Sequence, residues 1–281
     1  MSASSAGGAS GGARPLAGKV AIVTGGSRGV GKGVALALGD AGATVYVTGR
    51  TTVAGRLPGT IGQTAAEVDA RGGQGVAVAC DHADDAQVRA LFAQVAEQRG
   101  RLDILVNNAF AVPDGKLVAP FWELPIAQWD TLHTVGLRSH YVASVLAAPT
   151  MIAARAGLIV NVSSFGAKVY AVNVAYGVGK AGVDRLTRDT ARELAPHGVT
   201  VVSLWPGIVK TERLLLEPDR LGFDPAAGES PELTGRAVVA LATDAKRLER
   251  TGKAWIVAEL ARAYGFTEID GTVPAMPWSK P

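Results

Sequence analysis

Three glycines at Gly25, Gly29 and Gly31 follow directly on the apolar run Val20–Val23 and open a helical pattern. Few sequence features constrain a fold more. Gly25 can make the sharp turn out of a strand, and Gly29 lets the backbone come close to a pyrophosphate. Gly31 lets a helix pack tightly on the strand. The helix start adds free N–H groups and a positive dipole end, both suited to phosphate oxygens. The plain alternative is a tight strand–helix turn with no ligand. The strand before it and the helix after it weigh against that alternative.

The rest of the chain keeps the same rhythm. Apolar runs at Val20–Val23, Thr44–Thr48, Gly75–Ala79, Ile104–Val106, Leu158–Val162, Val199–Leu204 and Ala254–Ala258 are nearly continuous rather than alternating. Strands covered on both faces have that pattern. Helical patterns lie between them, at about Gly31–Gly39, Gln63–Arg71, Asp84–Gln98, Ala127–Ala154, Ala175–Leu194 and Pro231–Ala242. The alternation predicts an α/β fold, a doubly wound parallel sheet of about seven strands with helices on both faces. Neither a second core nor a linker interrupts it, so a single domain over 17–281 is expected. The Ser/Ala/Gly-rich start, residues 1–16, has no apolar h-region and is expected to be a disordered tail. Three stretches are too long for ordinary connections: Gly49–Ile61, Phe110–Pro125 and Trp205–Ser230. All follow the carboxyl ends of strands, the edge at which open α/β sheets bind ligands. Substrate loops are therefore expected at about 109–126 and 205–230.

Composition excludes several classes. The formal net charge is only +3 and the basic residues form no stripe, so no nucleic-acid partner is expected. A single cysteine, Cys80, rules out an intrachain disulfide and fits a cytoplasmic setting. No apolar run is long enough for a membrane span. The four histidines are scattered and none stands in ligand spacing with acids, so no metal is expected.

Tyr176-Gly177-Val178-Gly179-Lys180 sets a phenol and an ammonium group four residues apart. On a helix they share a face. A free phenol, with a pKa of about 10, is a poor proton donor or acceptor at neutral pH. A nearby cation favours the phenolate and brings the group toward working range. Tyr-x3-Lys alone is common in ordinary amphipathic helices. Its position after the strand Leu158–Val162 and the pair Ser163-Ser164 gives it weight.

The spacing Thr24-Gly25-x3-Gly29-x-Gly31, together with Tyr176-x3-Lys180, resembles the short-chain dehydrogenase/reductase family from about Gly18 to Gly252. The resemblance implies a Rossmann-type fold and a hydride exchanged between a nicotinamide cofactor and a carbonyl or alcohol. Carried onto this sequence, the cofactor set is Gly25, Ser27, Arg28, Gly29, Val30, Gly31, Arg50, Thr51, Asp81, Asn107, Tyr176, Lys180, Pro206, Gly207, Ile208 and Thr211. Asp81 would stand near the adenine. Asn107-Asn108-Ala109 matches the family's Asn-Asn-Ala-Gly, with Phe110 in place of the glycine. Pro206-Gly207 and Thr211 would meet the nicotinamide. A catalytic serine is implied about a dozen residues before the tyrosine. Counting back gives Ser163; aligning the strand gives Ser164, which is favoured. The family's proton-relay asparagine falls on Gly136, so the relay takes another route or is absent; His133 or His140 could serve, although a lone helical histidine is more often structural.

NADP(H) is favoured over NAD(H). NAD enzymes set an acid about 20 residues past the glycines, on the ribose 2′-hydroxyl. The second strand here ends in Thr48-Gly49-Arg50-Thr51, with no acid. Arg50 and Arg28 could instead hold a 2′-phosphate. Phrases such as Phe121-Trp122-Glu123 and Leu260-Ala261-Arg262-Ala263-Tyr264-Gly265 resemble one branch of the family. That branch implies NADPH-dependent reduction of steroid ketones and other hydrophobic carbonyls, and it shares the glycine at position 136. Cleft walls are expected from Phe110–Trp122 and Leu214–Phe223, although Leu214–Leu216 could equally be core. Family habit implies a homodimer or homotetramer. The rival readings are an NADP-binding sensor or scaffold without turnover, and an isomerase with a retained nicotinamide.

Overall fold

The computed structural model describes residues 14–221, 225 and 228–276. Seven parallel strands form one sheet: β1 Val20–Thr24, β2 Thr44–Gly49, β3 Gln74–Ala79, β4 Ile104–Asn107, β5 Gly157–Val162, β6 Val199–Trp205 and β7 Ala254–Ile256. Their order is β3-β2-β1-β4-β5-β6-β7. The fold is thus the single, doubly wound Rossmann-type domain that the strand–helix rhythm predicts. Every residue of β1, β4, β5 and β6 is buried. β3 lies at the sheet edge and is mostly half-exposed or exposed, because it has a neighbour on one side only.

Successive residues face opposite layers, as the strand period of two requires. Ala21 and Val23 join Val34, Leu38, Val68, Leu233 and Leu241 on one face. Val20 and Ile22 join Val88, Leu91, Ala147, Met151 and Ala191 on the other. The first layer is built by α1 Gly29–Asp40, α2 Ile61–Ala70, α9 Pro231–Thr243 and α10 Val257–Tyr264. The second is built by α3 Asp85–Arg99, α5 Ser139–Ala154 and α6 Val174–Leu194. Helix starts are fixed by side-chain caps: Thr60 accepts from Gln63 N–H, Asp84 from Ala86 and Gln87, and Ser230 from Leu233. Burying a Leu or Ile fully contributes about 1.5–3 kcal/mol, and both layers hold many such residues.

The structure corrects the sequence reading in several places. The helix expected over Ala127–Ala154 is interrupted. α4 Ala127–His133 runs into a π-helical turn, Thr134–Arg138, before α5. Gly136 lies in that turn, and the Ser139 hydroxyl donates to the Val135 carbonyl. The strand expected to reach Ala258 stops at Ile256, because Val257 and Ala258 start α10. Both are fully buried there, so the sequence runs apolar across the strand–helix junction. Leu16, placed in the tail by sequence, is 2% exposed, and its N–H donates to the Ala41 carbonyl. The rest of the expected tail, residues 1–13, lies outside the described residues. Two short helices, α7 Glu212–Leu216 and α8 Pro218–Leu221, stand in the long segment after β6. Among the described residues no helix is long and apolar enough to cross a membrane.

The topology positions the site. After β3 the chain crosses back over the sheet to form β4 beside β1. The connections leaving β1 and β4 therefore diverge, and a crevice opens at their carboxyl ends.

Candidate active site

A cleft of about 770 Å3 occupies that crevice. Its wall comes from the turn after β1, the ends of β2 to β6, the start of α6 and the segment through α7. Of the residues singled out in the sequence, Gly25, Ser27, Arg28, Gly29, Val30, Arg50, Thr51, Asp81, Ser163, Ser164, Tyr176, Lys180, Pro206, Gly207, Ile208 and Thr211 line it. Gly31 and Asn107 do not.

At the end formed by the glycine turn, Gly25 has φ +68°, and a methyl there would stand 2.9 Å from Ala109 Cα. Only glycine satisfies both conditions. Gly31 serves packing rather than the cleft: a Cβ would fall 2.3 Å from the Gly25 carbonyl oxygen. The Gly29 N–H, at the start of α1, donates to Glu212 Oε2 at 2.7 Å. An acidic side chain thus occupies the helix terminus, so this terminus binds an anionic oxygen.

The two arginines differ. Arg28 donates to the carbonyls of Pro58 at 3.0 Å and Gly59 at 2.9 Å. Its Nε and Nη2 hold the long Gly49–Ile61 loop in place, and the residue still lines the cleft. Arg50 has its side chain 66% exposed and makes one long ion pair, 3.8 Å, to Asp81. Arg50 is therefore an exposed, weakly paired cation on the cleft wall. The 49–61 loop also reaches the opposite wall through an ion pair between Arg56 and Glu217.

The asparagine pair divides its work by strand alternation. Asn107 is fully buried and points away from the cleft. Its Nδ2 donates to Asn161 Oδ1 at 2.8 Å and Ser144 Oγ at 3.1 Å, joining β4 to β5 and α5. The expected place on the cleft wall belongs instead to Asn108, whose Nδ2 donates to the Thr24 and Gly25 carbonyls at 2.9 and 3.1 Å.

At the other end of the cleft, the Tyr176 hydroxyl donates to Ser164 Oγ at 2.9 Å. Ser164 Oγ also accepts the Gly166 N–H at 3.0 Å. Its own proton is therefore left for another acceptor. Ser163 turns the other way, donating to the Lys180 backbone carbonyl at 3.1 Å. Lys180 Nζ donates to the Val162 carbonyl at 3.1 Å and lies 5.8 Å from the Tyr176 ring centroid. The start of α6 is fixed by Asn173, whose Oδ1 accepts the Tyr176 N–H at 2.8 Å. Asn173 Nδ2 donates to the Leu117 carbonyl at 2.9 Å, tying the phenol to the 110–120 loop. Sequence reasoning missed Asn173, although Asn is a strong N-cap residue and stands just before the helix.

Burial sets the charge states. It pushes the Lys180 ammonium down to about 8, with Asp184 opposing. Burial also raises the Tyr176 phenol, and only the Ser164 hydrogen bond works against it. The net direction is upward, opposite to the pull expected from the lysine. His133 Nε2 donates to the Ala175 carbonyl at 3.0 Å, and His140 is buried against the Ala109 carbonyl. Neither lines the cleft. His82, missed in the sequence, does line it; its Nε2 is 2.9 Å from Thr48 Oγ1, and burial lowers it to about 4, so the ring is neutral.

The wall near Tyr176 is apolar, with Phe110, Val112, Val118, Phe165, Val169 and Leu214 contributing. Leu214 is 3% exposed, so it is core and cleft floor together. Leu215 and Leu216 face solvent. Phe121 and Trp122, expected in the wall, are exposed outside it, and Phe223 lies outside the described residues. Among the described residues no group of three or more His, Cys, Asp or Glu could hold a metal ion.

This geometry agrees with comparisons against known proteins. Residues 19–217 match the family described as short chain dehydrogenase. The human protein named Dehydrogenase/reductase SDR family member 1 is 48% identical over 274 residues, covering 92% of this chain and 86% of that one. A solved metagenomic short-chain oxidoreductase in complex with NADP superposes with a TM-score of 0.69 at 31% identity, covering 86% of this chain and 97% of that one. A short-chain type dehydrogenase/reductase from Mycobacterium marinum gives a TM-score of 0.75 at 29% identity, with 86% and 94% covered.

Proposed function

The chain belongs to the short-chain dehydrogenase/reductase family and is an NAD(P)-dependent oxidoreductase, and from that premise we propose that it reduces hydrophobic ketones with NADPH. The observation that carries the reading is the pair of hydroxyls, Tyr176 Oη and Ser164 Oγ, 2.9 Å apart in an apolar cleft. Two donors that close can converge on one carbonyl oxygen.

The residues of the cleft fit a nicotinamide dinucleotide. Gly25 leaves backbone open where a side chain would intrude, and the Gly29 N–H already binds a carboxylate. Gly25, Ser27, Gly29 and Val30 would hold the diphosphate, Asp81 and Thr51 the adenosine end, and Pro206, Gly207, Ile208 and Thr211 the nicotinamide. When bound, that cofactor supplies or takes a hydride. Ser164 orients the substrate oxygen through its unused proton. Tyr176 donates its proton to that oxygen as charge develops there. Burial favours the neutral, proton-bearing phenol, and the charge developing on the substrate oxygen must draw that proton off. Lys180 then steadies the phenolate left behind, and Val162 and Asp184 hold the ammonium in place.

Arg50 supports the choice of NADP(H): it is an exposed, weakly paired cation at the carboxyl end of β2, on the cleft wall. The apolar wall supports a hydrophobic substrate, a ketone of the steroid or xenobiotic kind. Exposed Tyr141 and Val145 on α5 and Val178 on α6 support a homodimer or homotetramer formed through those helices. A single buried cysteine fits the cytoplasm.

The test is consumption of NADPH and NADH against a panel of aliphatic, aromatic and steroid ketones. Turnover is expected with NADPH and bulky apolar ketones. It should hold steady to about pH 7 and decline above about pH 8, as Lys180 loses its proton on rising pH. Tight NADPH binding with no turnover on any ketone would make the chain a binding module instead.

A further inference from the structure

Phe110 follows β4 and departs from the small residue that the family's motif would set there. Its ring stands against three features of the site at once. Lys180 Nζ lies 4.9 Å from its centroid. The Tyr176 ring meets it edge-on, 6.0 Å between centroids and 90° between planes. Its Cδ2 would lie 2.8 Å from a Cβ built at Gly136, in the π-helical turn between α4 and α5. The ring therefore fills the room that a side chain at position 136 would need.

The ammonium needs such a neighbour. Lys180 is 8% exposed, and the only hydrogen bond from its ammonium to the protein among the described residues is the one to the Val162 carbonyl. An aromatic face attracts a desolvated cation through its quadrupole. The same ring limits the rotation of the Tyr176 phenol by packing on its edge.

We propose that Phe110 is a positioning residue: its ring, admitted by the absence of a side chain at Gly136, holds the Lys180 ammonium and the Tyr176 phenol in their working places. Positions 110 and 136 are then a matched pair. A larger residue at 136 displaces the ring, and an aliphatic one at 110 leaves the ammonium without its face.

The proposal rests on the reductase reading, so the test carries one readout that needs no turnover. In protein labelled with 13C-lysine, the Lys180 ε-methylene should resonate upfield of the other lysines, shifted by the ring current. Assignment comes from its loss in Lys180→Met. Phe110→Leu should abolish that shift and lower kcat about tenfold, with the KM for NADPH changing less than twofold. Phe110→Tyr should keep the shift and recover most of the rate. Gly136→Ala should behave like Phe110→Leu, and the two together should be no worse than either alone. Should Phe110→Leu fail to fold, Gly136→Ala and Phe110→Tyr carry the comparison. An unshifted Lys180 signal in the parent protein overturns the proposal. So does a Phe110→Leu enzyme with the parent kcat, or losses that add in the double variant. If the parent oxidises no NADPH with any ketone, the reductase reading fails. The NMR result then still decides whether Phe110 holds the ammonium.

Discussion

The two ends of the cleft are built on different principles. At the chemical end every polar group has a short-range partner inside the fold. Ser163 is fixed to the Lys180 carbonyl, Ser164 to Gly166 and Tyr176, and Lys180 to Val162. At the nucleotide end the charged groups are engaged with loops. Arg28 holds the carbonyls of Pro58 and Gly59, Glu212 sits on the Gly29 N–H, and Arg56 pairs with Glu217 across the cleft. The contrast teaches where each kind of work is done. Chemistry needs groups held within a fraction of an ångström, so it is built on strand ends and one long helix. Nucleotide binding needs contacts that can be exchanged, so it draws on loop residues and side chains that already pair with something else.

Substitutions should expose that contrast. Among the substitutions that compare the two ends, the largest effect belongs to the serine pair. Ser164→Ala should lower kcat on the order of 100-fold, since it removes a donor to the reacting oxygen. Ser163→Ala should cost no more than a few-fold, because its hydroxyl faces the α6 backbone. Equal losses from both, measured by steady-state rates at saturating NADPH, would erase the distinction between the end that reacts and its scaffold. Arg50→Ala comes next. At the exchangeable end it should raise the KM for NADPH about tenfold with kcat nearly unchanged, and leave the KM for NADH close to its starting value. A fall in kcat instead would mean that Arg50 shapes the reacting geometry.

These predictions also mark how far the sequence could be read. The glycine turn and the Tyr176/Lys180 pair were legible because each is local: one turn of chain, or one turn of helix, holds all of its geometry. Ser164 could be favoured over Ser163 from strand direction, since alternation along β5 decides which side chain leaves toward the cleft. The same alternation hid the asparagines, because the motif does not show on which residue β4 ends; Asn107 went to the core and Asn108 to the cleft. The second role of Arg28 was hidden for a different reason. Its loop partners lie about thirty residues away in a segment without periodicity, so nothing near it in sequence shows that its Nε and Nη2 hold that loop. The upward direction of the Tyr176 pKa was hidden because spacing reveals a cation but not the depth of burial of the phenol.

Glu212 offers the smallest effect and the finest test. Its carboxylate holds the N–H that a phosphate oxygen would use. Glu212→Gln removes that anion and keeps the shape, so the KM for NADPH should fall two- to fivefold with kcat unchanged. A higher KM would make Glu212 part of the binding surface rather than a group to be displaced from it.

The account's central claim is that the Tyr176 phenol acts in the chemical step and not in holding the nucleotide. Tyr176→Phe tests it most directly, in single turnover with NADPH deuterated at the transferring position and a bulky ketone. The variant should bind NADPH within about threefold of the parent affinity by fluorescence titration. It should also transfer deuterium to the carbonyl carbon at least about 1,000-fold more slowly. Transfer within tenfold of the parent rate, or loss of NADPH binding in place of loss of transfer, would contradict it.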